Sequence, residues 1–354
     1  MHAAPEAARI GSQIIQMPRL GHYLPLLKSV FFLYETVEDA KAGKNSGGTG
    51  FFVALASEVP TRSYIYAVTN WHVACGGAPV VRVNSKNGEP VIFDYGPDEW
   101  TFEPGGPDLA IIGVVIDTSH DVTPIGIGMA YTQPEKTSLG PFDVGDDVFM
   151  IGRFIDYDGA ETNKPALRFG NISIVDATIK QETGYSGPSI VLDMHSRTGF
   201  SGSPVFGYRT SGSHFGKGGG GGVLRGDEEI FLGHTMVLLG VHFGQFPELW
   251  EIEAGSASAK ENSSLLTDGK YVKGLSGMTT VIPASELYKL LFREDLVEMR
   301  KKNDERLKQS HEVRTEVVSE RATAKDSAEN PTHKEDFMRL LGEAAKEKTQ
   351  AGQT

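Results

Sequence analysis

Three side chains in this sequence could perform nucleophilic chemistry if a fold brought them together. Ser201 stands in RTGFSGSPVFG, Arg197–Gly207, with Gly199 two positions before it and Gly202 directly after it. A serine hydroxyl attacks a carbonyl efficiently only when a base removes its proton and nearby backbone N–H groups stabilise the oxyanion that forms. Gly199 permits a backbone that points its own N–H and that of Ser201 toward a common point. The same stretch also fits a tight turn rich in small residues, so on its own it leaves turn and nucleophile both open.

The base would be one of ten histidines, and His72 is placed at the end of the apolar run YAVTNWHVA, where Thr69 and Asn70 turn the chain. The carboxylate that would hold its imidazole is Asp108, which opens DLAIIGV after the turn EPGGP. Alone, the histidine also reads as an internally satisfied structural residue and the aspartate as a turn or cap residue. Together the three occur in the order His, Asp, Ser, each at the edge of a strand-like segment. No His/Cys/Glu cluster has zinc-ligand spacing, and the glycine run Gly218–Gly222 lacks the GK[ST] ending of a phosphate loop. No metal or cofactor is therefore expected.

The elements that must position these residues are strands. From SVFFLYETV onward, short apolar runs recur between Gly, Asn, Asp and Pro: GTGFFVALA, SYIYAVTN, PVVRVNS, DLAIIGVVI, DDVFMIG, RFGNISIVDATI, SIVLDM, SPVFGY, MVLLGVHFG and MTTVIPA. Helical periodicity is missing between them, which favours an all-β barrel or sandwich over alternating βαβ units. Two insertions interrupt the pattern, Arg209 to Ile230 and Pro247 to Gly274. PASELYKLLF reads as a short helix capped by Ser285, after which residues 293–354 carry mixed charge and few large apolar side chains. Within that stretch Thr332 and Glu335 form a capping box, and Phe337, Leu340, Leu341 and Ala344 share one face of a helix spanning about 332–346.

Charge narrows the partners. Residues 293–354 hold thirteen basic and fourteen acidic residues, so the body before them carries about −11 of the formal −12. That surface opposes a phosphate backbone, and nucleic acid is not an expected partner. Cys75 is the single cysteine and has no partner for an internal disulfide. No run of eighteen apolar residues suits a membrane helix. A cytoplasmic protein without membrane attachment is expected.

Taken in order, GTGFFVA, AVTNWHVA, DLAIIGV, GFSGSPVFG and LLGVHFG resemble the successive signatures of the trypsin-like (chymotrypsin-fold) serine proteases, over roughly residues 29–292. The resemblance implies a double six-stranded β-barrel with the active site between the barrels, Ser201 as nucleophile, His72 as general base and acid, and Asp108 as orienting carboxylate. It implies oxyanion-hole N–H groups from Gly199 and Ser201, and a strand containing Phe243 and Gly244 that receives a bound peptide. His195 and His242 fall where such proteins line the substrate pocket, and two imidazoles would suit an acidic or amide side chain. Phe200 occupies the place where pancreatic-type members carry an aspartate, so activation by a new N-terminus pairing with it is excluded. The absence of disulfides is closer in style to the HtrA group, but the charged tail is too short and polar for the PDZ domain those proteins carry.

The expected organisation is an N-terminal leader (1–28), the protease domain (29–292) and a charged tail (293–354), helical or disordered. The expected function is a regulated cytoplasmic endopeptidase of a bacterial stress or defence pathway, acting on a protein or peptide and docking a regulatory partner through its C-terminal helix. The alternative is a catalytically silent module that binds a peptide without cleaving it.

Overall fold

The computed structural model describes residues 21–132, 141–154, 159, 162–196, 198–209, 235–251 and 271–309. The glycine run at 218–222, most of the two insertions and the amphipathic segment at 332–346 lie outside them.

The first half is a sheet of β1 (Val30–Tyr34), β2 (Ser46–Ala56), β3 (Ser63–Thr69), β4 (Val80–Asn84), β5 (Pro90–Phe93), β6 (Thr101–Phe102), β7 (Ala110–Val114) and β8 (Ile125–Gly126). Its order is β5-β4-β1-β2-β3-β7-β6, with β8 parallel to β2. Six of these strands are substantial, and β6 and β8 are two-residue additions. β1, VFFLY, is buried at all five positions because both its faces are covered: Phe31 and Leu33 face the core of this half, while Arg153 lies over the rings of Phe32 and Tyr34, which explains a continuous apolar run instead of alternation. Phe31, Leu33, Phe52, Val81 and Trp100 form the core of this half.

The second half is a closed barrel of β9 (Asp147–Gly152), β10 (Ala166–Lys180), β11 (Ser186–Asp193), β12 (Pro204–Arg209), β13 (Thr235–Glu251) and β14 (Tyr271–Pro283), ordered β10-β11-β14-β13-β12-β9. Val148, Met150, Leu192, Phe200 and Val205 pack at its centre. The all-β, two-part architecture is the expected one. The insertion expected to begin at Pro247 is corrected: β13 runs on to Glu251 and β14 starts at Tyr271, so its ends are hairpin strands.

Two registers determine where the chemistry falls. β3 and β7 are antiparallel with Thr69 opposite Ala110, so the chain leaving β3 toward His72 meets the chain entering β7 from Asp108. In the barrel, β12 lies between β9 and β13, with Val205 opposite Met150 and Pro204 opposite Val241. The turn before β12, which holds Ser201, is thereby set between the ends of those neighbours.

Three helices flanking the strands are short: α1 (Val37–Ala42), α2 (Trp71–Ala74) and α3 (Ala284–Leu291). α1 shows both end signals, with Thr36 Oγ1 accepting from Asp39 N at 3.0 Å and Gly43 in the left-handed region at φ 65°. α3 forms as expected, but its N-cap is Pro283 and no side chain caps it; Ser285 lies inside the first turn.

Residues 295–309 together with Ser57–Arg62 belong to a second compact unit. Within it the chain is helical to residue 309, and Asp304 accepts from Ser57 Oγ at 2.6 Å and from Glu58 N at 3.0 Å. The described start of the charged tail is thus an ordered helix whose buried carboxylate ties down the 57–62 turn.

Candidate active site

α2 is a single turn whose N-cap, Asn70, has extended geometry (φ −78°, ψ 149°) and makes no side-chain cap bond. Its amide Nδ2 instead donates to Asp108 O at 2.8 Å, joining the end of β3 to the segment before β7. On the next residues, His72 N donates to Asp108 Oδ1 at 2.9 Å and His72 Nδ1 to Asp108 Oδ2 at 2.6 Å. The Asp108 side chain is fully buried, while that of His72 is 27% exposed. A carboxylate only accepts, so Nδ1 carries the proton in this pair, which leaves Nε2 as the ring's acceptor. Gln181, in the turn after β10, accepts from Asp108 N at 2.7 Å and fixes the aspartate from the second half.

Ser201, half-buried, sits in a turn clamped on three sides. Thr49 N donates to Ser201 O at 2.9 Å, Gly202 N to His242 O at 2.9 Å, and Ser203 N to Phe200 O at 3.0 Å. A Cβ on Gly48 would lie 2.9 Å from Val73 Cγ1 and 3.0 Å from Ser201 O, so the Ser201 turn and the α2 residue after His72 flank the same point of β2. Gly199 and Gly202 both adopt positive φ, +98° and +85°. A Cβ on Gly202 would overlap Thr49 O and Thr69 Oγ1. Replacing Gly202 with alanine should therefore destabilise the domain by about 3 kcal/mol or more, combining left-handed strain with overpacking, and lower its chemical-denaturation midpoint accordingly. A change under about 1 kcal/mol would show that the turn relaxes freely.

The remaining candidates separate. Gly199 is buried in the Ser201 turn, and His195 is exposed after β11, its Cε1 3.1 Å from where a Cβ on Gly277 would stand. Phe243 is 6% exposed, and the β13–β14 register slips there, between His242 and Gly244. Such a bulge re-aims the strand next to the turn. Among the described residues no strand pairs with β13 on the β12 side after His242, so near Gly244 that side of the strand has no described backbone partner.

His242 differs from the expected pocket residue. It is 2% exposed, its Nδ1 donates to Phe200 O at 3.1 Å, and its Nε2 lies 2.6 Å from Thr279 Oγ1. Both ring nitrogens are used internally, so in this structure the imidazole braces the nucleophile turn and offers no free donor to a substrate. Burial above all, helped by the charge of His72 and opposed by the Phe200 and Gly244 carbonyls, pushes its pKa down to about 4. An unfolded histidine titrates near 6.5, so between about 6.5 and 4 the unfolded chain binds a proton that the folded chain refuses. The stability is fully present above pH 6.5 and is lost as pH falls toward 4, by roughly 3 kcal/mol. Denaturation midpoints across that range should fall for the parent and flatten in His242→Gln; parallel curves would refute the assignment.

Cys75, three residues after His72, is pushed up to about 11 by burial and by the Asp108 charge. It stays a thiol near neutrality and packs at the edge of the first core, so it does not compete as a nucleophile.

Sequence reasoning missed Thr49 and Gln181. Thr49 lay inside the quoted GTGFFVA, whereas Gln181 had no signal beyond being a polar residue in a turn.

A family model described as the trypsin-like peptidase domain matches residues 48–213, which span His72, Asp108 and Ser201. Among solved structures, the chain is similar to the MamO protease domain from Magnetospirillum magneticum, at 16% identity over 75% of this chain and 97% of that one, with a TM-score of 0.43. It is also similar to the Rv3671c protease from M. tuberculosis in its active form, at 15% identity over 82% and 88% with a TM-score of 0.41. The HtrA-type protease AlgW with a decapeptide gives 17% identity over 70% and 53% with a TM-score of 0.37. No curated protein matches the chain.

Proposed function

We propose that this chain, residues 48–213 of which match the trypsin-like peptidase domain, is a serine endopeptidase that cleaves a protein or peptide through an acyl-enzyme. The observation that carries the reading is the doubly bonded His72–Asp108 pair, 2.9 Å from the backbone N and 2.6 Å from the ring N, together with a serine held between two positive-φ glycines in a turn that flanks the same point of β2 as Val73. In the proposed cycle His72 Nε2 takes the proton of Ser201 Oγ as that oxygen bonds to the scissile carbonyl carbon. The N–H groups of Gly199 and Ser201 hold the oxyanion, and the imidazolium returns the proton to the leaving amine. Water then repeats the sequence on the ester. The substrate runs along that side of β13 near Gly244 as an added strand, with His195 at the pocket entrance.

We extend the proposal to a regulated cytoplasmic setting and to a regulatory partner docked through residues 332–346. The test is a fluorophosphonate probe on the purified chain, followed by peptide mapping. Labelling at Ser201 supports the reading. Peptide binding without any labelling would replace it with the silent module. Comparing new protein N-termini in cells expressing the parent or Ser201→Ala would then identify substrates and cleavage preference.

A further inference from the structure

The geometry points to Thr49 as a positioning residue for the oxyanion hole, acting through its hydroxyl on the peptide between Gly199 and Phe200. This inference rests on the serine-peptidase reading above. Thr49 is fully buried in β2, on the half opposite the nucleophile turn, and every polar atom it has is used there. Its hydroxyl donates to Gly199 O at 2.6 Å and accepts from Arg153 N at 2.9 Å. Its backbone N donates to Ser201 O at 2.9 Å, and its carbonyl accepts from Thr69 Oγ1 at 2.7 Å. One residue thus binds the carbonyls of both residues whose N–H groups would form the hole.

The consequence follows from peptide planarity. A trans peptide holds its C=O and N–H in opposite directions, so fixing one carbonyl fixes the amide joined to it. The Phe200–Ser201 peptide is held through Phe200 O, which accepts from Ser203 N at 3.0 Å and from His242 Nδ1 at 3.1 Å. That aims the Ser201 N–H. The Gly199–Phe200 peptide is held by the Thr49 hydroxyl. The N–H of that peptide belongs to Phe200, so the hydroxyl acts on the Gly199 N–H through Gly199 itself: at φ +98° the glycine has no side chain to restrict it, and without an anchor on its carbonyl, rotation about its own backbone bonds lets its N–H swing. Arg153 closes the other flank: its carbonyl is 3.2 Å from the place of a Cβ on Gly199. The hydroxyl therefore staples the end of β9 and the nucleophile turn to β2.

Valine has the shape of threonine without its hydroxyl, and serine keeps the hydroxyl without the methyl. Thr49→Val should slow fluorophosphonate labelling of Ser201 by about tenfold or more, on the scale of damage to an oxyanion donor. Against any peptide substrate found by the N-terminus comparison, the loss should fall on kcat, with KM nearly unchanged. Thr49→Ser should restore labelling to within about threefold of the parent. Hydrogen exchange, which needs no activity, gives the second readout: the Gly202 and Ser203 amides should exchange about tenfold faster in Thr49→Val than in Thr49→Ser, with both variants melting cooperatively. Parent-like labelling in folded Thr49→Val would overturn the inference, as would equal slowing in both variants. If the parent itself is never labelled, the peptidase reading fails, and the exchange comparison decides whether Thr49 fixes the turn: equal rates in the two variants would remove that role too.

Discussion

Ser201→Ala should abolish both hydrolysis and fluorophosphonate labelling, with a loss of at least ~10⁴-fold in kcat, while the melting temperature moves by no more than about 2 °C. The contrast follows from where the hydroxyl sits. The Ser201 backbone holds the turn through its carbonyl, bonded to Thr49 N at 2.9 Å, and alanine keeps that bond. The side chain is half-buried and contributes little packing. His72→Ala should cost nearly as much, and the double variant little more, because nucleophile and base act as a unit. Ser203 is the control. It is fully buried, its Oγ has no hydrogen-bond partner, and it lies against Gly152, where no substrate reaches it. Ser203→Ala should therefore still be labelled. Labelling that survived in Ser201→Ala and vanished in Ser203→Ala would reverse the choice of nucleophile.

What could be read in advance divides along physical lines. The strand-forming runs were legible because β-branched and aromatic residues between turn formers carry their own periodicity, and each quoted run from SVFFLYETV to MTTVIPA corresponds to a strand. β5, β6 and β8 were not legible: PVIF, TF and IG are too short to show a pattern and exist because a longer neighbour offers free backbone groups. The pairing of His72 with Asp108 could be anticipated through the family resemblance that the ordered motifs carry, whereas the backbone bond from His72 N and the support from Gln181 depend on a register visible only in three dimensions. His242 shows the opposite failure. Its position on the strand suggested a pocket, but the sequence carries no sign that Phe200 O and Thr279 Oγ1 would occupy both ring nitrogens. Ser285 was a cap candidate by type; the N-cap falls two residues earlier, at Pro283, whose ring already holds φ at −57°.

Asp108→Asn should lower kcat by about 10⁴-fold near neutral pH with little change in KM, because the residue touches the base and not the substrate. The carboxylate uses two acceptors for two donors of one residue, His72 N at 2.9 Å and His72 Nδ1 at 2.6 Å. An asparagine offers one acceptor and one NH₂ group. If its oxygen faces Nδ1, the NH₂ meets the His72 backbone N–H, donor against donor in a buried site. If its oxygen faces the backbone N–H, the NH₂ donates to Nδ1, which must then be bare. The second arrangement satisfies both groups, so the ring moves its proton to Nε2 and can no longer accept one from Ser201. Proton NMR reads this directly: the Nδ1–H signal of the short bond in the parent should disappear, with an Nε2–H signal taking its place. Cys75 supplies an independent reporter of the lost charge. Its thiol, raised to about 11 by burial first and by Asp108 second, should titrate lower in the variant while remaining above an exposed cysteine. A lower Cys75 titration with unchanged kcat would mean that the charge was removed without disabling the base, and the orienting role of Asp108 would fall.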